Sequence, residues 1–319
     1  MSNVLSLFDG MSCGRIALDR AGIKFNKYYA SELDKYAIKV SQANYPDIEH
    51  LGDVKKWREW DIDWNIDLLI GGSPCQGFSF AGNQLAFDDP RSALFFVYVD
   101  ILNHIKSVNP NVKFMLENVR MKKEFLAIIS EHLGVEPIFI NSALVSAQNR
   151  QRYYWCNWDV EQPEDKGILL KDIIEDAYTE KDKSYCIDAN YHKGATWEQY
   201  KTKSRRQLVR PCEPKPFDKN SLCHHAANAT DIKGNESIKR VYAKTGKAPT
   251  LTTMGGGHRE PKTLIEPTKY RKLTPLECER LQTVPDNYTN HVSNTQRYKM
   301  IGNGWTVDVI AHILKGSGL

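Results

Sequence analysis

Over residues 1–158 the chain alternates between short apolar runs and longer stretches with helical spacing. "NVLSLFDG" (3–10) is an apolar run that ends in Asp-Gly, which predicts a buried strand leading into a turn. "GRIALDRAG" (14–22) follows with helical spacing and a terminal glycine suited to a helix C-terminus. "KYYASELD" (27–34) predicts a second strand, "KYAIKVSQANY" a second helix, and "IEHLGDV" (48–54) a short third strand. "IDLLIGG" (66–72) is continuously apolar, as central parallel strands are. Then come a helix over 92–108, a strand over 111–119 and a helix over 122–134. "PIFINSALV" and "RQRYYWCNW" predict two further strands.

This alternation implies an α/β fold: a mostly parallel, doubly wound, Rossmann-like sheet with helices on both faces. Ligands of such sheets sit outside the carboxyl ends of the strands. Asp9-Gly10, Glu32, Asp53, Pro74-Cys75 and Glu117-Asn118 all fall at those ends. Between about 160 and 270 the rhythm fails, and irregular or short-stranded structure is expected. Order returns with "TPLECERLQ" (274–282), where Thr274 and Glu277 form a capping box and Pro275 takes the first helical position. "TVDVIAHILK" (306–315) predicts a closing apolar helix. The expected division is 1–160 plus 271–319 as a catalytic, cofactor-binding domain and 161–270 as a smaller, irregular second domain.

Composition bounds this picture. A length of 319 residues, 41% of them hydrophobic, suffices for one large domain and a smaller one. No apolar run approaches the roughly 20 residues that span a bilayer. The opening "MSNVLSLFDG" has no basic stretch before its apolar one, so no signal peptide is expected. The seven cysteines (13, 75, 156, 186, 212, 223, 278) show no C-x-x-C spacing, which argues against a disulfide framework and a four-cysteine zinc site. Adjacent side chains seldom converge on one ion, so Cys223, His224 and His225 read as a polar loop, and no metal is expected. Charge is more telling. Residues 181–272 hold 20 Lys/Arg against 9 Asp/Glu, whereas the rest holds 23 against 30. A basic middle segment of this kind suits a polyanionic partner.

Three places carry chemistry. In "LFDGMSCGRIAL" a strand, a glycine turn and a helix place backbone N–H groups toward a ligand. Glu32, 22 residues after Gly10, stands where an acid accepts hydrogen bonds from two ribose hydroxyls, and Asp53 where a purine amine can be received. With no phosphate cradle, these favour S-adenosylmethionine over a dinucleotide. In "IGGSPCQGFSFAG" Cys75 leaves a strand end on a glycine-bearing loop, with Pro74 fixing the backbone before it. A partly open, polar setting of this kind suits a thiolate nucleophile. Glu117 ends the next strand, where a carboxyl can hydrogen-bond a pyrimidine ring nitrogen and its amine. "AQNRQRYYW" sets Gln148, Arg150 and Arg152 at alternate positions, on one face if the segment is a strand.

These motifs resemble those of the DNA cytosine-5 methyltransferase family. "FDGMSCG", "SELD", "GDV", "GGSPCQGFS", "RSALFF", "ENV", "QNRQR", "RKLTPLECERLQTVPD" and "IGNG" occur in the family's order across roughly 1–158 and 270–315. Ser12 and Cys13 depart from the two glycines common in the first motif, and "FDGMSCG" and "GNGWTV" look closer to the animal de novo branch. The resemblance implies methyl transfer from S-adenosylmethionine, with S-adenosylhomocysteine as product, to carbon 5 of a flipped-out cytosine through a covalent Cys75–C6 bond. Glu117 and Arg152, with Arg150, would be its catalytic companions. The cofactor would be lined by Phe8, Asp9, Gly10, Met11, Cys13, Glu32, Leu33, Asp53, Val54, Ser73, Pro74, Asn303, Gly304 and Trp305. Duplex DNA would meet Gln76, Ser79, Gln148, Arg205, Arg206, Gly256 and Arg259, with Arg259 reading guanine or holding a phosphate. The alternatives are action on RNA, against which stands the absence of the tRNA branch's "CFT" stretch, and a silent DNA-binding relative. The compact form implies a monomer in the cytoplasm of a bacterial cell or a phage-infected host, with a cognate restriction endonuclease left open.

Overall fold

Odd and even residues of a strand face opposite sides of a sheet, and here both sides are covered. In this computed structural model, strand β1 (Ser2–Leu7) sends Val4 to one core and Leu5 and Leu7 to another. The structure describes residues 2–74, 93–204, 206–210, 225–228, 235, 240–243, 262–264 and 270–319. Beyond β1 come α1 (Cys13–Ala21), β2 (Phe25–Ser31), α2 (Lys35–Asn44), β3 (Glu49–His50) and β4 (Leu68–Gly71). Then follow α3 (Ala93–Val108), β5 (Lys113–Val119), α4 (Lys123–Leu133), β6 (Pro137–Asn141) and β7 (Gln151–Cys156). The middle of the chain has α5 (Trp197–Lys203), β8 (Leu208–Val209), β9 (His225–Asn228), β10 (Arg240–Ala243) and β11 (Lys262–Leu264). After β12 (Arg271–Lys272) the chain closes with α6 (Pro275–Leu281), α7 (Asn294–Asn303) and α8 (Val307–Lys315).

The strands form a seven-stranded sheet in the order β3-β2-β1-β4-β5-β7-β6. Pairing is parallel from β3 to β5, and β7 runs antiparallel to both β5 and β6. Each strand divides its side chains between two apolar layers. Val4, Tyr28, Leu68, Ile70, Met115 and Tyr154 meet α1 and α8 on one face. Leu5, Tyr29, Leu69, Phe114, Leu116 and Trp155 meet α3 and α4 on the other. Each fully buried Leu, Ile or Phe contributes about 1.5–3 kcal/mol relative to exposure, so the continuous apolar runs read in the sequence are what a two-faced sheet requires.

The structure corrects several boundaries. The third strand is only Glu49–His50, because Gly52 takes φ 74° and Asp53 caps a 3-10 helix (Val54–Glu59) that the sequence reading missed. Gln148 and Arg150 do not share a strand with Arg152: β7 starts at Gln151, and both lie in the preceding connection. Part of the segment after residue 160 packs on the main core. Leu170, Ile187, Tyr191 and Val209 belong to the same core as α1 and α8. β9, β10 and β11 form a separate three-stranded sheet.

The capping box of α6 is present: the Glu277 N–H donates to Thr274 Oγ1 (3.2 Å), and the Thr274 N–H donates to Glu277 Oε2 (2.7 Å). The sequence did not show that Glu277 and Glu279 are both fully buried. Glu277 holds Arg271 in a bidentate pair (2.7 and 2.8 Å). Glu279 pairs with Arg297 (3.0 Å) and accepts the N–H groups of Asn287 and Thr289. These two carboxylates lock α6 to β12 and to α7. Arg297→Met strands a buried carboxylate without its cation and is expected to lower unfolding free energy by about 3–5 kcal/mol, as read by urea unfolding. A change under 1 kcal/mol would refute the buried pair's role.

Candidate active site

The exits of β1 and β4 meet a single loop from the far end of the chain. After β1 the backbone turns sharply: Phe8, Gly10 and Ser12 have φ of 58°, 60° and 64°. Among these only Gly10 takes the left-handed region without strain, and the space where its Cβ would lie is open. The Gly10 N–H donates to Glu32 Oε2 (2.8 Å), while Glu32 Oε1 accepts the N–H groups of Leu33 and Asp34 (2.7 and 2.8 Å). Glu32 therefore joins the ends of β1 and β2. Leu33 beside it is 68% exposed, an apolar surface at the rim of this cleft. Asp53 lies at the next strand end, where its Oδ1 accepts the Lys55 N–H (2.9 Å). Val54 behind it is buried.

Asp9 is buried beneath the turn. It accepts from Tyr28 Oη (2.7 Å) and Ser12 Oγ (2.5 Å). Burial pushes its carboxyl up to about 6, against the lowering effect of the Ser12, Ser6 and Tyr28 hydroxyls. Cys13, which departs from the family pattern, is packing material: burial pushes its thiol up to about 12. Met11 is buried, and its carbonyl accepts from Tyr288 Oη (2.7 Å).

Glu117 is 9% exposed at the end of β5, and its Oε1 pairs with Arg152 Nε on β7 at 2.8 Å. The strand register explains the pair, since Arg152 lies opposite Val119 in the β5–β7 ladder. A Cβ on Gly72 would lie 3.0 Å from Glu117 Oε2 and 2.9 Å from Trp305 Nε1. Gly72 thus lets β4's exit pass between the acid and the indole. Ser73 is buried and accepts from Asn118 Nδ2 (3.4 Å), and Pro74 is exposed. Cys75, Gln76, Ser79, Arg205, Gly256 and Arg259 lie outside the described residues, as do Cys223 and His224.

The loop Asn303–Trp305 is held from behind by a buried polar network. Arg150 is 3% exposed. Its Nη2 donates to the carbonyls of Gly304 (2.9 Å) and Gly302 (3.3 Å), and its Nη1 to that of Ile187 (3.1 Å). Gln282, fully buried, donates to the carbonyls of Ile301 and Gly304 (2.9 and 3.1 Å) and accepts from Thr306 Oγ1 (2.8 Å). Gln148 is also fully buried: its Oε1 accepts the Ile187 N–H (2.8 Å), and its Nε2 reaches Gln282 Oε1 (3.2 Å). Gln148, expected to meet DNA, is fully buried and braces the interior. Arg150, expected beside Arg152 in catalysis, gives its guanidinium to three backbone carbonyls and to Cys186 Sγ, and so positions the loop.

On the near side, a Cβ on Gly304 would lie 3.0 Å from Met11 Cε and 3.2 Å from Cys13 Sγ. Trp305 packs over Gly14, and Asn303 is exposed. The sequence reading missed Gln282, although a glutamine that caps α6 in line with the buried Cys278 and Leu281 was its signal. Gly302, part of the "IGNG" motif, would place a Cβ 2.3 Å from the Asp188 carbonyl carbon, so no side chain fits there. Arg206 is half-buried, with Nη1 donating to the Gly194 carbonyl (2.6 Å).

The model of the family described as C-5 cytosine-specific DNA methylase matches residues 2–317. The chain belongs to that family. It is 31% identical over 336 residues to the type II methyltransferase M1.ScrFI of Lactococcus lactis subsp. cremoris, covering 96% of this chain and 75% of the relative. It is 27% identical to the type II methyltransferase M.HhaI of Haemophilus parahaemolyticus, covering 98% and 93%. With the orphan methyltransferase M.SPBetaI of Bacillus phage SPbeta the identity is 26%, covering 98% and 96%. A crystal structure of a Spodoptera frugiperda DNMT2 mutant superposes with a TM-score of 0.60 at 19% identity, covering 99% of each chain. That likeness speaks for the fold alone. The chain is thus a DNA cytosine-5 methyltransferase built on a Rossmann-like sheet. Among the described residues, no helix is long and apolar enough to cross a membrane.

Asp9 gives this cleft a pH signature. Its pKa is raised in the folded chain, so the stability it contributes is present at low pH and is lost as pH rises through about 6. The melting temperature of the wild type minus that of Asp9→Asn is therefore expected to fall between pH 5 and pH 7.5. A difference that stays flat across this range would contradict the buried, ionisable Asp9.

Proposed function

We propose that the chain methylates carbon 5 of a cytosine swung out of duplex DNA at a specific sequence, through a transient bond between Cys75 and C6. The observation that carries this is the Glu117–Arg152 pair beside Gly72, three residues before Cys75 and against Trp305. A buried acid next to a strand exit that leads to a thiol is what addition to a pyrimidine needs.

S-adenosylmethionine fits the cleft at the ends of β1 and β2. The open space at Gly10, the exposed apolar Leu33 and the Glu32 carboxylate offer room, a surface for a base and acceptors for hydroxyls. Glu32, Leu33, Asp53 and Val54 would hold the nucleoside, and Phe8, Gly10, Met11, Ser73, Pro74 and the Asn303–Trp305 loop the remainder. When bound, it supplies an electrophilic methyl group.

Cytosine C5 is a weak nucleophile. The Cys75 thiolate donates its electron pair to C6, and the C5=C6 pair moves to C5. Glu117 holds N3 and the exocyclic amine and stabilises that adduct, while Arg152 fixes the Glu117 carboxylate. After methylation, C5 loses its proton and the returning electron pair expels Cys75. A stacked base cannot reach the thiol, so the nucleotide must leave the helix, at a cost of a few kcal/mol. The region 161–270, rooted on the core by Ile187 and Tyr191, offsets this cost through phosphate contacts from its basic stretches. Its partner is duplex DNA, and the chain acts as a monomer in the cytoplasm of a bacterial or phage-infected cell, with or without a cognate restriction endonuclease.

The test uses the full chain, labelled S-adenosylmethionine and duplex DNA carrying 5-fluorocytosine. A denaturation-resistant protein–DNA adduct is expected with wild type and none with Cys75→Ala. On ordinary cytosine, Glu117→Gln is expected to lower kcat by about 100-fold or more. Label confined to RNA, or DNA binding without transfer, would overturn the proposal.

A further inference from the structure

The basic segment carries a surface pocket lined by Ala195, Gln199, Lys203 and Arg206. It encloses about 130 Å³, space for several water molecules. Gln199 and Lys203 are four residues apart on α5 and share one helix face. The aromatic side of α5 is anchored. Trp197 stacks on Tyr270 with ring centroids 5.6 Å apart, and the buried Tyr200 accepts at Oη from Gln207 Nε2 (3.0 Å). The Gln207 carbonyl in turn accepts from Tyr191 Oη in the main core. After α5 the backbone turns through the left-handed region, with Ser204 at φ 48° and Arg206 at φ 57°. Few residues other than glycine adopt that conformation. Here it accompanies a fixed guanidinium: Arg206 Nη1 donates to the Gly194 carbonyl (2.6 Å).

We propose that Gln199, Lys203 and Arg206 form a seat for one backbone phosphate of the duplex DNA substrate. This rests on the reading of duplex DNA as substrate given above, and it makes Arg206 a backbone contact instead of a reader of bases. The polar walls of the pocket offer donors. Gln199 Oε1 is engaged by the Thr196 N–H (3.2 Å), which leaves its amide N–H groups for a ligand. Lys203 is exposed and meets no carboxylate among the described residues. Arg206 gives one N–H to Gly194 and keeps the others of its fork. Elsewhere in the chain Arg271, Arg280 and Arg297 each meet a carboxylate. Glu198, the acid next to Gln199, is not among the pocket's walls. Two unneutralised cations and an amide suit the two free oxygens of a phosphodiester: the fork takes an oxygen with direction, and the ammonium adds a point charge. The Gly194 carbonyl already orders the Arg206 side chain, so less freedom is lost on binding. The backbone of Asp188, three residues before Tyr191, packs against Gly302. A phosphate held in this seat therefore fixes the duplex relative to the Asn303–Trp305 loop. Such a contact positions DNA and carries no sequence information.

The test is the salt dependence of DNA binding by the full chain, read by fluorescence anisotropy with a labelled duplex between about 50 and 200 mM salt. Lys203→Gln and Arg206→Gln are each expected to flatten the slope of log affinity against log salt by about 0.9, the share of one phosphate contact. Each is also expected to weaken binding by a similar factor on duplexes of unrelated sequence. Lys203→Arg keeps the charge and is expected to keep the slope. Lys24→Gln removes a like charge just before β2, at the end of the sheet away from the cleft, and is expected to leave the slope unchanged. Lys203 is exposed, so its replacement tests the seat even where Arg206→Gln fails to fold. A wild-type slope in Lys203→Gln, or the same flattening in Lys24→Gln, would overturn the proposal. Methyl transfer to DNA is measured alongside. If the variants flatten the slope while wild type labels no DNA, the methylation reading fails and the seat stands. If wild type labels DNA and the slopes do not move, the seat fails and the methylation reading stands.

Discussion

Everything at the strand ends depends on one buried guanidinium. Arg150 collects the carbonyls of Ile187, Gly302 and Gly304, which belong to segments more than 100 residues apart in sequence. The carbonyls of a tight loop have no ladder partners, and each left unpaired in the interior would cost about 1–3 kcal/mol. Gln282 and Gln148 complete the same network with neutral amides, and Thr306 closes it. The result is a loop with a fixed back, whose other side packs Gly304 and Trp305 against the exits of β1 and β4 and leaves Asn303 exposed. A site assembled from both ends of a chain needs such a rivet, because neither end alone dictates where the other lies.

The acid at β5 follows the same logic on a smaller scale. Glu117 is 9% exposed, and a carboxylate taken from water needs a cation or several donors. The antiparallel turn of β7 supplies one, since it brings Arg152 opposite Val119 with its side chain directed back to Glu117. A parallel neighbour would have brought its carboxyl end there, as β4 does on the other side. The one strand that reverses direction beside β5 is therefore also the strand that makes a buried acid tolerable at the strand end.

The alternation of strands and helices up to residue 158 was legible because burial on two faces leaves long apolar runs, as in β4 and β5. The strand-end acids Glu32 and Glu117 were legible for a related reason: an acid that terminates an apolar run stands out. What failed was anything decided by polar burial. Gln148 and Arg150 sit at alternate positions, so period-two reasoning put them on a strand with Arg152. The structure uses them as interior braces, because the chain there must satisfy loop carbonyls. Helix α7 went unread for the same reason: Arg297 is a buried charge that blurs the apolar stripe. Glu277 was read only as a capping residue, yet it and its neighbour Glu279 are both buried and paired with arginines outside the helix. A periodicity argument has no access to partners that are distant in sequence.

The basic middle of the chain shows a different limit. Its surplus of Lys and Arg is a statement about phosphates, which are the same in every sequence of DNA. Base reading requires a side chain placed within hydrogen-bond reach of one groove edge, and composition does not specify that placement. The root of the region is fixed: Ile187 and Tyr191 are buried among the residues of α1 and α8. On the proposed reading, the segment that meets DNA starts from the same packed layer as the strand-end cleft. On that reading, affinity can change through surface charge and specificity through loop residues without any change in the packed layer beneath.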